Sequence, residues 1–336
     1  MLRSALLTFR MHRFEVLITS ALLALTAISA IVSYTHATGA NPSDECWLQN
    51  WDFDDYGRRS PECIAVVEAF WSVQYQAGFV ASPIAVLLPF VVGLLLGVPV
   101  VGREIEMRTA TLAWSLSGDR RRWLLARLLP VLALAGIGLV IAAVLVAEMA
   151  RAAHPWNYQG PGRIPSLTEI GSEGAPLVGR GVMALGIAVL AGAVIGRTLP
   201  AFAVSAVLSF VFLFAGAPVV QTVVGSQFAV WQGLPYGDEM YETGPHLYTG
   251  QYREEYRHRD GRIIDEQTLW DSSEELCGCS GEEFIAWLEE NITRFELVVP
   301  IEAYGVFEAT ETALTSGIGT VALLLTFPVV ARRRPD

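Results

Sequence analysis

Six stretches of this chain are long and apolar enough to cross a lipid bilayer, and they constrain its fold more than any other feature. The runs are Val16–Tyr34, Phe79–Val101, Leu128–Ala147, Leu177–Gly196, Leu199–Val224 and Thr312–Ala331. Drawn out to their flanks they give spans at 15–35, 79–101, 128–149, 177–196, 199–224 and 312–331. A helix needs roughly 20 apolar residues to cross the hydrocarbon layer, and a charge at its centre costs about 2.5–3.5 kcal/mol on insertion scales. Five runs carry no charged residue, and the fourth carries only Arg180, near one end, where a long side chain can reach the headgroups. Soluble helices of this length need a polar face, which these lack. The first run follows Arg3, Arg10 and Arg13 in the manner of a secretory signal, but it exceeds the roughly 7–15 apolar residues of such segments. The expected fold class is therefore an all-α polytopic membrane protein with six transmembrane helices.

Charge orients these spans. With both termini in the cytoplasm, the inner segments hold thirteen arginines against five acids, a balance of +8. The other ten basic and 29 acidic residues fall outside and leave −19 there. Short, Arg-dense inner loops are what the positive-inside rule requires. All 23 basic residues are arginine. With no lysine, the chain can build neither a Walker-type phosphate loop nor a Schiff base.

The segments between the spans have distinct characters. Residues 1–14 read as a cytoplasmic interfacial helix, with Leu2, Ala5, Leu6 and Phe9 on one face and Arg3 and Arg10 at its margin. The extracytoplasmic segment 36–78 is aromatic and acidic and holds Cys46 and Cys63; 150–176 is a shorter outer loop; 332–336 is a cytoplasmic tail. The large outer segment 225–311 holds Cys277 and Cys279 and a polar, irregular stretch at Tyr241–Arg262. Further on, Ser280–Glu283 forms a capping box. After it Phe284, Trp287, Leu288, Ile292 and Phe295 fall at helical spacing, so a helical cap is expected there. In an oxidising compartment the four cysteines favour disulfides. The simplest pairing joins Cys46 to Cys63 and Cys277 to Cys279. Cross-pairing between the two segments is the rival, and a metal site lacks histidines at ligand spacing. Gly93–Gly97 and Gly192–Gly196 have the spacing of close helix packing, and a dimer interface is one use for it. Pro83, Pro89 and Pro99 are candidate breaks in the second helix.

The inner segment 102–127 is the one cytoplasmic loop long enough for structure of its own. Its first part extends the second helix, Ser117-Gly118-Asp119 makes a turn, and Arg120–Arg127 begins the third helix. Topology explains its arginines but not Glu104, Glu106, Trp114 and Trp123. The pattern Arg103-Glu104-x-Glu106-x-x-Thr109-x-x-Leu112-Ala113-Trp114, then Ser117, then Arg121-Arg122-Trp123-Leu124, resembles the inner loop of type 2 ABC exporter permeases of high-GC Gram-positive bacteria. That family often has glycine where this chain has Arg108. A weaker similarity covers Tyr304–Arg334, where Glu311-Thr312 precedes the last span and an Arg-rich tail.

The resemblance implies a permease subunit in the bacterial plasma membrane, without catalytic residues or cofactor of its own. It implies partnership with separate ABC ATPase subunits, which hold the ATP and Mg, with a second permease copy or homologue as a dimer, and with membrane lipid; nucleic acid is not a partner. The loop would then be a coupling element, with Arg103, Glu104, Glu106, Arg108, Thr109, Trp114, Arg120, Arg121, Arg122 and Trp123 as its ATPase-contact residues. The cargo expected is amphipathic, peptide-, drug- or lipid-like, moved outward. A polytopic sensor or accessory protein reading an extracytoplasmic ligand is the alternative. A secondary transporter needs an ionisable group within its spans, and the six runs place none at mid-membrane. A membrane hydrolase needs a His-Glu-x-x-His or Gly-x-Ser-x-Gly constellation, and neither occurs.

Overall fold

A computed structural model describes residues 10–39, 42–43, 46, 60–110, 114, 119–153, 174–235, 246–247, 254–265, 269, 282–300 and 304–333. Its elements are α1 (Arg13–Gly39), α2 (Pro61–Glu106), α3 (Arg120–Ala153), α4 (Gly174–Ile195), α5 (Thr198–Val211), a π-helical turn (Phe212–Gly216), α6 (Ala217–Phe228), β1 (Val230–Pro235), β2 (His246–Leu247), β3 (Glu254–His258), β4 (Ile263–Ile264), α7 (Glu282–Asn291), β5 (Ile292–Pro300) and α8 (Tyr304–Arg332). Among the described residues, six helical stretches are long and apolar enough to span a membrane: α1, the Ile84–Glu106 part of α2, α3, α4, the run from Thr198 to Val220, and α8 from Gly305. The chain is an all-α polytopic membrane protein in its spanning part.

The chain forms two compact units. The first comprises residues 1–157, 169–216 and 308–336. Its centre is α4 laid along α2. The two run parallel, because Gly93 faces Ala184 and Leu185, Gly97 faces Ala188, and Gly102 faces Gly192. A Cβ on Gly93 would stand 2.6 Å from both the Ala184 Cβ and the Leu185 backbone nitrogen, so only glycine admits this approach. These glycines thus serve the close helix packing expected of their spacing, within one chain. Leu88, Val92, Leu96, Leu124, Leu139, Leu177, Leu185 and Val189 fill the core around them. The outward faces stay apolar (Phe14, Ile28, Ile137, Leu199, Phe210 and Leu324 are all exposed), as a lipid solvent permits. The run beginning with α5 is the least enclosed span.

α2 begins at Pro61, well before the apolar run at 79, with Ser60 as its N-cap accepting the Cys63 amide. It continues through Pro83, Pro89 and Pro99, none of which breaks it. A disulfide joins Cys46 to Cys63, with Cα atoms 4.9 Å apart. Cys277, Cys279 and the Ser280 capping box lie outside the described residues, as does the interfacial helix before Arg10.

The second unit comprises 158–168 and 217–307. Here the expected helical cap is corrected to a five-stranded antiparallel sheet, order β1-β5-β3-β4 with β2 on β5, carrying one helix. The helix α7 ends at Asn291, whose side-chain amide bonds back to the Trp287 carbonyl. The β-branched Ile292 and Thr293 then open the central strand β5. Phe284, Leu288 and Ile292 do share one core, with Tyr256, Ile264 and Leu269, but they reach it from a helix and a strand. Within the stretch read as irregular lie β2 and β3. The charged sequence of β3 concealed it: Tyr256 turns to the core while Glu255 and Arg257 pair with each other on the other face.

Candidate functional site

The polar end of the first unit gathers around the segment between α2 and α3. Helix α2 stops at Glu106 because the chain turns left-handed there. Arg108 has φ 58°, alone among described non-glycine residues in that region. The Met107 amide bonds to the Arg103 carbonyl, and the Arg108 amide to the Ile105 carbonyl. This is the position after a helix end where glycine is usual, since a side chain there costs about 1 kcal/mol. The Thr109 hydroxyl closes the turn on the Glu104 carbonyl at 3.1 Å.

From this turn the side chains divide into two sets. Glu104 points inward and is buried, 3.1 Å from the guanidinium of Arg127 on α3. The contact is an ion pair rather than an aligned hydrogen bond, since Glu104 Oε1 lacks a donor at bonding geometry. Glu106 reaches across to α5, where its Oε2 accepts both the Thr198 amide (2.8 Å) and the Thr198 hydroxyl (2.6 Å). Trp114 and Trp123 are buried edge to face, ring centres 5.6 Å apart, and the Arg120 guanidinium lies 4.8 Å over the Trp114 ring. Arg120 also donates to the carbonyls of Ala331 (3.0 Å) and Arg333 (2.6 Å), closing the C-terminus of α8. Arg333 in turn donates to the Ala193 carbonyl at the end of α4, whose Gly196 is left-handed.

The outward set is mostly cationic, with Glu106 and Asp119 exposed beside the arginines. Arg103, Met107, Arg108, Thr109, Arg121 and Arg122 are exposed. The Arg103 guanidinium pairs with Glu15 on α1, at 3.1 Å. Beside it His12 is buried with neither ring nitrogen hydrogen-bonded, and burial lowers its pKa below the usual imidazole value despite Glu15 nearby. The ten residues singled out from the motif thus come together at one end of the unit. Sequence reasoning missed their anchors: Glu15, Arg127, Thr198 and Arg333.

At α4's other end, Arg180 does not reach toward headgroups. It is buried, donates through Nε to Glu311 Oε1 on α8 at 2.6 Å, and holds Nη2 at 2.6 Å from the same oxygen as an ion pair. One turn earlier on α8, Glu308 accepts the Ala175 amide at the start of α4. Glu311 sits one residue before the sixth apolar run, so hydropathy alone did not place it inside the bundle.

Apolar helices tied by charged side chains near their ends define a multi-pass membrane protein, and the described residues of its 102–127 segment are bonded to α1, α5 and α8. A family model described as ABC-2 membrane transporter related matches residues 15–221, from α1 into α6 and across the whole 102–127 segment, and the chain belongs to that family. It is the transmembrane component of an ABC transporter, a membrane subunit for transport in a family that works with ABC ATPase subunits. No curated protein and no solved structure matches it.

Proposed function

We propose that the chain is the permease of an ATP-driven exporter. On this reading its 102–127 segment faces the cytoplasm and docks on an ABC ATPase subunit, which supplies the ATP and Mg. Both termini are cytoplasmic, the bundle pairs with a second permease copy, and an amphipathic molecule moves outward along it. The observation that carries the docking reading is the division of the segment into two faces. Arg108, Arg121 and Arg122 are exposed, while Glu104, Trp114, Arg120 and Trp123 are spent on the bundle. A docking element needs this combination of a free recognition face and a stiff mounting. Thus Arg108, Arg121 and Arg122 recognise an acidic groove, and Glu104, Glu106, Arg120 and the two tryptophans hold the shape that recognition requires. The orientation rests on arginine density in the inner segments.

The test is co-purification with an ABC ATPase from membranes, followed by Arg121→Glu with Arg122→Glu. Association falls at least tenfold at unchanged expression and thermal stability if the surface is right. Retained association in the double variant, or labelling of position 121 from the cell exterior, refutes the docking reading.

A further inference from the structure

Helix α5 starts without a cap of its own. Arg197 stands at the N-cap in extended backbone (φ −134°) and gives no side-chain hydrogen bond to the first turn. The acceptor comes instead from another helix, through Glu106 at the last residue of α2, which takes both the amide and the hydroxyl of Thr198. A carboxylate there also faces the positive end of the helix dipole. The rest of α5 is held weakly. Its span is the least enclosed of the six, and its buried contacts are small residues, Ala201, Ser205 and Ser209. Beyond them the π turn at Phe212–Gly216 interrupts the regular hydrogen-bond ladder, a common point of adjustment in a helix. A lightly packed helix tied at its first residue goes where that residue is pulled. By contrast, α4 is locked to α2 along its length by glycine contacts, and to α8 by Arg180 and Glu311.

We infer that Glu106 is a positioning residue that carries displacement of the 102–127 segment into the fifth span. The inference rests on the proposed docking reading, because the displacement comes from the ATPase. It assigns Glu106 a role distinct from contact with that partner: the carboxylate grips Thr198 and ties the start of α5 to the end of α2.

The experiment uses the full chain with its ATPase in nanodiscs. Spin labels are carried on p-acetylphenylalanine at the exposed positions 107 and 199, which leaves the cysteines untouched. Electron–electron distance distributions are recorded without nucleotide and after vanadate trapping with ATP. In the parent chain one narrow distribution is expected in both states, because the two ends move together. In Glu106→Ala the distributions should coincide with the parent without nucleotide and separate from it after trapping. Glu106→Gln, whose amide oxygen still accepts, should restore the shared movement. Should Glu106→Ala not fold, Thr198→Val removes the hydroxyl arm of the same contact and is expected to give the same divergence in weaker form. Glu106→Ala matching the parent in both states overturns the inference, and so does an equal broadening in both, which describes a static cap. Failure of the parent chain to bind the ATPase overturns the docking reading instead, and the two failures are distinguishable by the co-purification itself.

Discussion

The pair between Arg180 and Glu311 offers the most demanding check on the bundle. Both side chains are nearly inaccessible, 4% and 2% exposed, and they join helices through one hydrogen bond and one ion-pair contact, each of 2.6 Å, to a single carboxylate oxygen. Glu311→Ala leaves the buried guanidinium without its counter-charge. Removing one partner of a buried pair costs about 3–5 kcal/mol, most of it the penalty of the stranded charge. Replacing both partners with apolar residues of similar volume is often neutral, so Arg180→Met with Glu311→Leu should recover most of that loss. Unfolding followed by SDS titration in mixed micelles, with helicity read by circular dichroism, measures each variant against the parent. The reasoning fails if Glu311→Ala stays within about 1 kcal/mol of the parent, the range expected for an exposed pair. It fails equally if the double variant is less stable than the single one.

Arg108→Gly should raise the stability of the chain by about 1 kcal/mol, because glycine occupies φ 58° without the Cβ penalty; a lowered unfolding midpoint counts against the left-handed turn. Gly186→Ala places a methyl against the Gly319 backbone and should cost about 1–3 kcal/mol, whereas Gly317→Ala enters open space on the exposed face of α8 and should be neutral or stabilising by up to about 1 kcal/mol. Equal effects of the two in a thermal shift assay contradict the α4–α8 packing. His12 faces Glu15, Arg103 and Arg127, and burial lowers its pKa. The unfolded chain therefore takes up the proton first, and stability falls as pH drops through 6.5. His12→Leu should flatten that slope between pH 7 and 5.5, and an unchanged slope refutes the assignment.

The spans were legible because length and apolarity suffice for them: a bilayer demands roughly 20 apolar residues in sequence, and no tertiary partner enters that test. The inter-span segment stood out for a related reason, since its arginines and tryptophans are too concentrated for topology alone; the turn expected at Ser117-Gly118 lies outside the described residues. What sequence could not supply was the satisfaction of helix ends. Backbone groups at the end of a span need partners, and here those partners lie far away along the chain: Glu106 serves Thr198 across 92 positions, and Arg120 serves Arg333 across 213. The same holds for Arg180, whose counter-charge is 131 residues distant. In the second unit the failure had another cause. A central strand carrying Glu, Glu, Arg and His has no hydrophobic alternation, and only cross-strand pairs and one buried tyrosine reveal it. Composition therefore locates the membrane in this chain, but the ties between helices are set by long-range charge pairing. A mechanism that moves one span relative to another has to act through those ties, which is why Glu106, and not the more conspicuous arginine cluster, is where motion would pass from the turn into the bundle.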